Sequence, residues 1–407
     1  MNVLVSIVGL GFLILIHEAG HFFTALAVRM RPRKFYVFFP PPVLKTTRNG
    51  IEYGIGAIPL GGYVKIPGMH RPAAGDLDAH LQRAADEAHS IGTAAAPVRA
   101  ALEQGRLDEA RAGLPELRQV VERAHLSEAA RKTAERGLTD VEDGLSDDAY
   151  WKAPAWRRVS VIAAGPLTNL VACIVLLTIV FMLGVPVGTT KVVEEVRAGM
   201  PASEIGLLPG DEILAIDGTP VATFEDIRPA IEAGEGAPVT VTVLRDGERV
   251  ELGPAAPVRQ DGRLLLGFSP GQEMRSYGLG PAIGKAFEDT GRVTAEIGKS
   301  LGRIVTGSGR DEVSSPIGIV QGSSQALDVG FRYYLQLLAL ISLSLALLNL
   351  LPLLPLDGGH ILFSLLEKVR GRAIPREAYE RASAIGIALV LILFVIGLSN
   401  DIGRLGG

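Results

Sequence analysis

Apolar residues gather into four long runs instead of spreading evenly along the chain. Val3–Val28 is the first, broken only by His17, Glu18 and His21, and Val159–Val187, Tyr334–Leu356 and the shorter Ala382–Leu398 follow. Each approaches or exceeds the roughly 20 residues that cross about 30 Å of hydrocarbon, so the pattern predicts four transmembrane helices. Between the runs the pattern changes. Ile51–Ile58 alternates as strands do, and Pro59–Lys65 reads as a Gly-rich turn into another strand, which predicts a membrane-associated β-hairpin region over 31–72. Residues 73–148 are rich in Ala, Glu, Asp and Arg, with apolar positions at helical spacing, and predict a solvated acidic insertion of two to four helices. Residues 188–268 read as a compact β-rich domain. They carry a turn, strand and turn at Gly206–Gly218, helical spacing over Phe224–Ala233 and strand alternation over Pro238–Arg245. Gly280–Val305 has the spacing of an amphipathic helix within a 269–333 connecting segment. The fold class expected is a polytopic α-helical membrane protein with an inserted β-rich domain and a soluble helical insertion.

Basic residues orient the spans. Arg29, Arg31, Arg33 and Lys34 follow the first run, and Lys152, Arg157 and Arg158 precede the second. Lys368, Arg370, Arg372, Arg376 and Arg381 separate the third from the fourth. The positive-inside rule then predicts that 31–158 and 361–381 are cytoplasmic and that 188–333 lies outside. The resulting segments are 1–30, 149–187, 334–360 and 382–407 for the spans with their flanks, and 361–381 for a cytoplasmic loop. Only Met1 and Asn2 precede the first run, and no basic segment does, which argues against reading it as a cleaved signal peptide. Trp151 and Trp156 among the cations at the entry to the second run suit a headgroup layer.

Composition narrows the function classes. With 48% hydrophobic and 21% charged residues in 407, and a net charge of -4, nothing points to a nucleic-acid partner. The single cysteine, Cys173, excludes an intrachain disulfide and any zinc site built from several cysteines.

The candidate chemistry lies in the first run. In a helix, His17 and His21 are one turn apart on one face, able to ligate one zinc ion with Glu18 beside the metal-bound water. Ionisable groups in hydrocarbon cost about 2.5 kcal/mol or more each, so three of them mark a functional site more readily than a buried polar network. Catalytic zinc normally keeps three protein ligands, and the third must reach membrane depth. Asp357, in Asn349–His360 at the end of the third run, is the preferred candidate, with His360 its rival behind the flexible Gly358-Gly359 pair. Pro352 and Pro355 break the helix there, freeing backbone groups that could pair with an extended substrate, and the Asn349 amide could hold a substrate peptide group.

These residues resemble the membrane signatures of the site-2 protease family: His17–His21, Gly165-Pro166-Leu167-Thr168-Asn169, and the Asn349 to Gly358 segment. The Leu-Pro-Gly-Asp run at Leu208–Asp211, continuing to Asp217-Gly218, resembles a PDZ domain of the bacterial protease-associated type. Together with Gly61–Lys65 and Ser315–Ile319 it is similar to the RseP-type bacterial subgroup. The resemblance implies one zinc ion bound by His17, His21 and Asp357, with Glu18 as catalytic base, and a hairpin at Gly62, Tyr63 and Val64 that guides the substrate strand. It also implies an inner-membrane enzyme that cuts single-pass proteins such as anti-sigma factors within their spans, with the PDZ-like domain gating access or binding chain ends. The chain departs from the family pattern where Leu354 stands in the place of a second proline, with Pro355 one residue later, and 73–148 has no counterpart. The competing reading is a non-catalytic membrane scaffold that binds partners through the PDZ-like domain and the acidic helices.

Overall fold

The computed structural model describes residues 2–260, 263–306, 308–309 and 313–405. The chain divides into two units, 1–177 with 286–407 and 178–285.

The first unit holds helices long and apolar enough to cross a membrane. The first is α1 (Asn2–Ala27). Two strands follow, β1 (Lys34–Arg48) and β2 (Ile51–Lys65), which fold back on each other. Lys34–Val37 pairs with Glu52–Ile55 on one side and with Gly62–Lys65 on the other, while Pro42–Arg48 pairs with Ile51–Gly56. The chain therefore reverses between Gly56 and Gly62, leaving Gly62–Lys65 at an edge. Four helices come next: α2 (Ala74–Glu87), α3 (His89–Glu103), α4 (Leu107–Arg123) and α5 (Glu128–Leu145). Their apolar faces close a core of their own, with Leu77, Leu81, Ile91, Val98, Leu117, Val121, Leu138 and Val141 all buried. The charged positions between them point outward, which is why a composition so polar still packs. Ser127 caps α5 by accepting from the Ala130 N–H at 3.3 Å.

The second span helix, α6 (Ala155–Leu183), packs on α1 through small residues. A Cβ on Gly20 would lie 2.6 Å from the Ala164 carbonyl oxygen, and Thr168 Oγ1 donates to the Ile16 carbonyl at 3.0 Å. Close backbone approach of this kind is how helices associate where lipid removes the hydrophobic drive.

In the second unit, β3 (Val185–Val196) and α7 (Pro201–Glu204) are followed by β4 (Glu212–Ile216), β5 (Thr219–Pro220) and α8 (Ile227–Ala233). Then come β6 (Val239–Arg245), β7 (Glu248–Ala255), β8 (Val258–Gln260), β9 (Arg263–Leu265) and β10 (Phe268–Arg275). The main sheet has the order β10-β3-β4-β6-β7, with β5 paired to β4. Ile213, Ile216, Val239, Val241 and Val243 fill its core with Ile227 and Ile231 of α8. The alternation of β6 buries every second residue. Asp217 and Gly218 both have positive φ, 45° and 74°, as the tight turn between β4 and β5 requires. Asp211 is buried and takes both arms of Arg245, Nε to Oδ1 and Nη2 to Oδ2, at 2.7 Å each.

Beyond it run α9 (Leu279–Thr306), α10 (Pro316–Val329), α11 (Phe331–Asn349), α12 (Asp357–Arg370) and α13 (Arg376–Leu405). Four expectations about the segments shift. The strand content assigned to 188–268 extends from Val185 to Arg275, and the 269–333 connection contains the further helix α10. The third apolar run is not one helix to 356 or 360. Pro352 and Pro355 lack the N–H a helix needs, so α11 ends at Asn349 and Asp357 opens a separate helix. That helix and the start of α13 together occupy most of the 361–381 segment expected as a loop, leaving only 371–375 between them. Asp401 of α13 caps α10, its Oδ2 accepting from the Ser315 and Gly318 N–H groups at 2.7 and 3.1 Å.

Candidate metal centre

Helical spacing puts His17 and His21 on one face of α1, and both are buried. The N-terminal turn of α12 brings Asp357 to them from more than 300 residues away. Asp357 Oδ2 lies 3.2 Å from His17 Nε2 and 3.4 Å from His21 Nε2, and the two Nε2 atoms are 3.2 Å apart. Among the described residues these three form a group able to hold a metal ion.

The protonation pattern decides what such a triangle can do. His21 Nδ1 is 2.8 Å from the Val161 carbonyl, which can only accept, so Nδ1 carries a proton and in the neutral ring Nε2 presents a lone pair. Asn169 is fully buried with its amide nitrogen 3.4 Å from His17 Nδ1 and its Oδ1 without a partner. Exchanging the amide O and N, which are alike in shape, lets Oδ1 accept from a His17 Nδ1–H and gives His17 the same tautomer. Asp357 Oδ2 is also buried without a hydrogen-bond donor. Two lone pairs and a carboxylate oxygen facing one another repel unless a proton or a metal cation lies between them, and a single metal ion satisfies all three at once. Ligands about 2.0–2.1 Å from a tetrahedral zinc ion stand about 3.3 Å from each other, which is the spacing found here. The residues present fit zinc.

Space for the group is built into the backbone. A Cβ on Gly165 of α6 would fall 2.3 Å from His21 Nε2 and 2.8 Å from His17 Nε2, so only glycine leaves the centre open on that side. Gly358 does the same for Asp357: a Cβ there would meet the Leu350 and Leu351 carbonyl oxygens at 2.2 and 2.3 Å. That glycine lets α12 start hard against the preceding segment. Leu354, at the departure from the family motif, is buried, and its carbonyl oxygen fills the space that a Cβ on Gly386 of α13 would need.

Glu18 is half-buried beside the trio and meets β2. A Cβ on Gly62 would lie 2.2 Å from Glu18 Cγ, and the Val64 N–H faces the Glu18 carboxylate. Gly62, Tyr63 and Val64 therefore run directly past Glu18 on the edge of the sheet. Asn349, half-buried, closes α11, and Pro352 lies in the irregular 350–356 segment that carries the chain to Asp357. His360 falls outside the metal-holding group; its ring lies 6.5 Å from that of Tyr379. The roles of Gly165, Asn169 and the Val161 carbonyl were not assigned from sequence. The Gly165–Asn169 motif was the only signal for the first two, and the carbonyl carries no side-chain signature.

Comparison with known proteins gives a consistent picture. The family described as Peptidase family M50 matches residues 5–393. A protein of Agrobacterium fabrum named a zinc metalloprotease is 30% identical, over 98% of this chain and 94% of its own length. One of Rhizobium meliloti with the same description is 30% identical, over 98% of this chain and 95% of its own. The Regulator of sigma-E protease RseP of Salmonella typhimurium is 30% identical, over 99% of both chains.

Proposed function

The chain belongs to peptidase family M50, the site-2 proteases, and is a zinc metalloprotease; from this premise we propose where its zinc sits and what it cuts. His17, His21 and Asp357 are the zinc ligands, Glu18 is the general base, and the substrate is a single-pass membrane protein cut within its span. The triangle of 3.2, 3.2 and 3.4 Å between the three ligand atoms carries the assignment. Zinc bound there supplies a polarised water and a Lewis acid for the scissile carbonyl.

Glu18, beside the trio, would serve as the general base, holding on its carboxylate the proton released by the attacking water and returning it to the leaving amine nitrogen. Its neighbour Val64 keeps the carboxylate oriented through the backbone N–H. Peptide bonds in a substrate helix are shielded by their own ladder, so the substrate must open locally. Gly62–Val64 lies at the edge of its sheet, where an opened strand can add at close range to Glu18. Asn349 precedes, and Pro352 lies within, the irregular backbone at 350–356, a second place where an opened strand finds polar partners.

The protein resides in the bacterial inner membrane, with 31–158 and 361–381 cytoplasmic and the β-rich unit outside. That unit is a PDZ-like domain that gates access or binds chain ends; the order of its turns, strands and helix supports the reading. Anti-sigma factors are the substrate class suggested by the Salmonella relative's name. The test is cleavage of a single-span substrate by purified protein in lipid, with the cut mapped by mass spectrometry. A cut inside the apolar span supports the reading; cuts confined to soluble flanks overturn it.

A further inference from the structure

The acidic helices of 73–148 touch the strand that runs past Glu18. Side chains alternate along a strand, so Gly62 and Val64 share one face and Tyr63 and Lys65 the other. Gly62 and Val64 meet Glu18. Lys65 Nζ reaches α5 instead, at 2.7 Å from Asp140 Oδ1 and 2.9 Å from Asp143 Oδ2. Asp143 Oδ1 also takes Arg33 Nε at 2.8 Å, and Arg33 forks onto both oxygens of Asp148 at 3.0 Å each. The Arg33 N–H donates to the Lys65 carbonyl at 2.7 Å, closing the circuit onto the backbone of β2. Just past the strand, the Pro67 and Gly68 carbonyls accept from the Tyr150 and Trp151 N–H groups at 2.9 and 3.0 Å, and Trp151 Nε1 donates to the Gly144 carbonyl of α5 at 2.8 Å.

The helices do not close completely on this face of the strand. A cavity of about 420 Å³ lies between Tyr63–Met69 and the helices, lined across from the strand by Asp76, His80, Asp140 and Asp143. On the side away from the cavity Val64, Ile66 and Met69 pack with Ala25, Met30 and Tyr150; toward the helices the ion pairs span the cavity and set how the strand end stands against α5. We infer that the 73–148 helices are a brace that sets the β2 edge against Glu18, with Lys65, Asp140, Asp143 and Arg33 as positioning residues. The inference rests on the reading of that edge as the substrate strand's partner. A function follows for the insertion: a change in the helices, imposed by a cytoplasmic partner or by loss of a charge, reaches the reacting bond through three residues of strand, about 10 Å.

The experiment uses the full-length protein in detergent with a single-span substrate, measuring kcat, KM, zinc content and thermal unfolding. Lys65→Met and the double variant Asp140→Asn, Asp143→Asn should lower kcat about tenfold or more, because small misplacement of reacting groups is costly, with KM changed less and zinc retained. Lys65→Arg keeps a cation between the two aspartates and should stay within about threefold of the unaltered protein. Asp140→Asn alone, at a partly exposed carboxylate, should give an intermediate loss and guards against a double variant that fails to fold. The brace is overturned if Lys65→Met, folded and zinc-loaded, keeps full kcat, or if every loss tracks unfolding and Lys65→Arg fails to rescue. Glu18→Gln, run alongside, separates the two readings: its activity would overturn the function itself, whereas its inactivity beside fully active brace variants overturns the brace alone.

Discussion

At the scale of residues, the proposed centre is two imidazole nitrogens and a carboxylate oxygen whose spacing fits one cation. His17, Glu18 and His21 were legible because their spacing is local and their setting is apolar. Asp357 was legible as a candidate only, since nothing in 340 intervening residues says that α12 returns to α1. The structure settles its proximity and leaves His360 out of the group. Gly165 and Asn169 could not be read as site residues because what matters in them is an absent side chain and an amide whose partner is a distant histidine. Two expectations follow. Gly165→Ala should place a methyl group within 2.8 Å of both Nε2 atoms and abolish zinc binding without unfolding the helices, as metal analysis and circular dichroism would read. Asn169→Ala removes the group that fixes the His17 ring and should weaken zinc about 10–100-fold in a chelator competition. Unchanged affinity would remove Asn169 from the site.

Elements carry the next set of lessons. Apolar runs located the spans well, since hydropathy and length suffice for that. They misjudged the third, because an apolar composition continues through 350–356 after the prolines have ended the helix. The segment expected as a Gly-rich turn became part of β2, whose two halves flank the same stretch of β1; strand partners chosen at that distance leave no local trace. In the β-rich unit the turn chemistry was readable, while the reason for Asp211 was not. Burial alone would raise its carboxyl, but the two bonds from Arg245 and the Leu208 N–H hold it below the usual carboxylate range. A folded-state pKa below the unfolded one gives stability that is full above about pH 4 and is lost as pH falls through the folded value. Asp211→Asn should therefore destabilise the 178–285 unit by about 1–3 kcal/mol near neutrality. Hydrogen exchange there should rise at pH 7, and the difference from the unaltered protein should shrink on acidification. A difference constant with pH would contradict the assignment.

At the scale of the whole molecule, the proposed metal centre is framed by α1, α6 and α12, helices of an apolar bundle, and bordered by an edge strand. The helical insertion 73–148 holds that strand through Lys65, Asp140 and Asp143. The insertion was visible as a change of composition, yet its purpose was not, because the contacts that matter are four charges among many on a solvated surface. A scaffold without catalysis would need none of the geometry at His17, His21 and Asp357. The measurement that tests this most directly is zinc stoichiometry of the purified protein beside its variants. One zinc per chain is expected in the unaltered protein and in Glu18→Gln, and a loss to background in His17→Ala, His21→Ala and Asp357→Ala. Full zinc occupancy in folded Asp357→Ala would contradict the account.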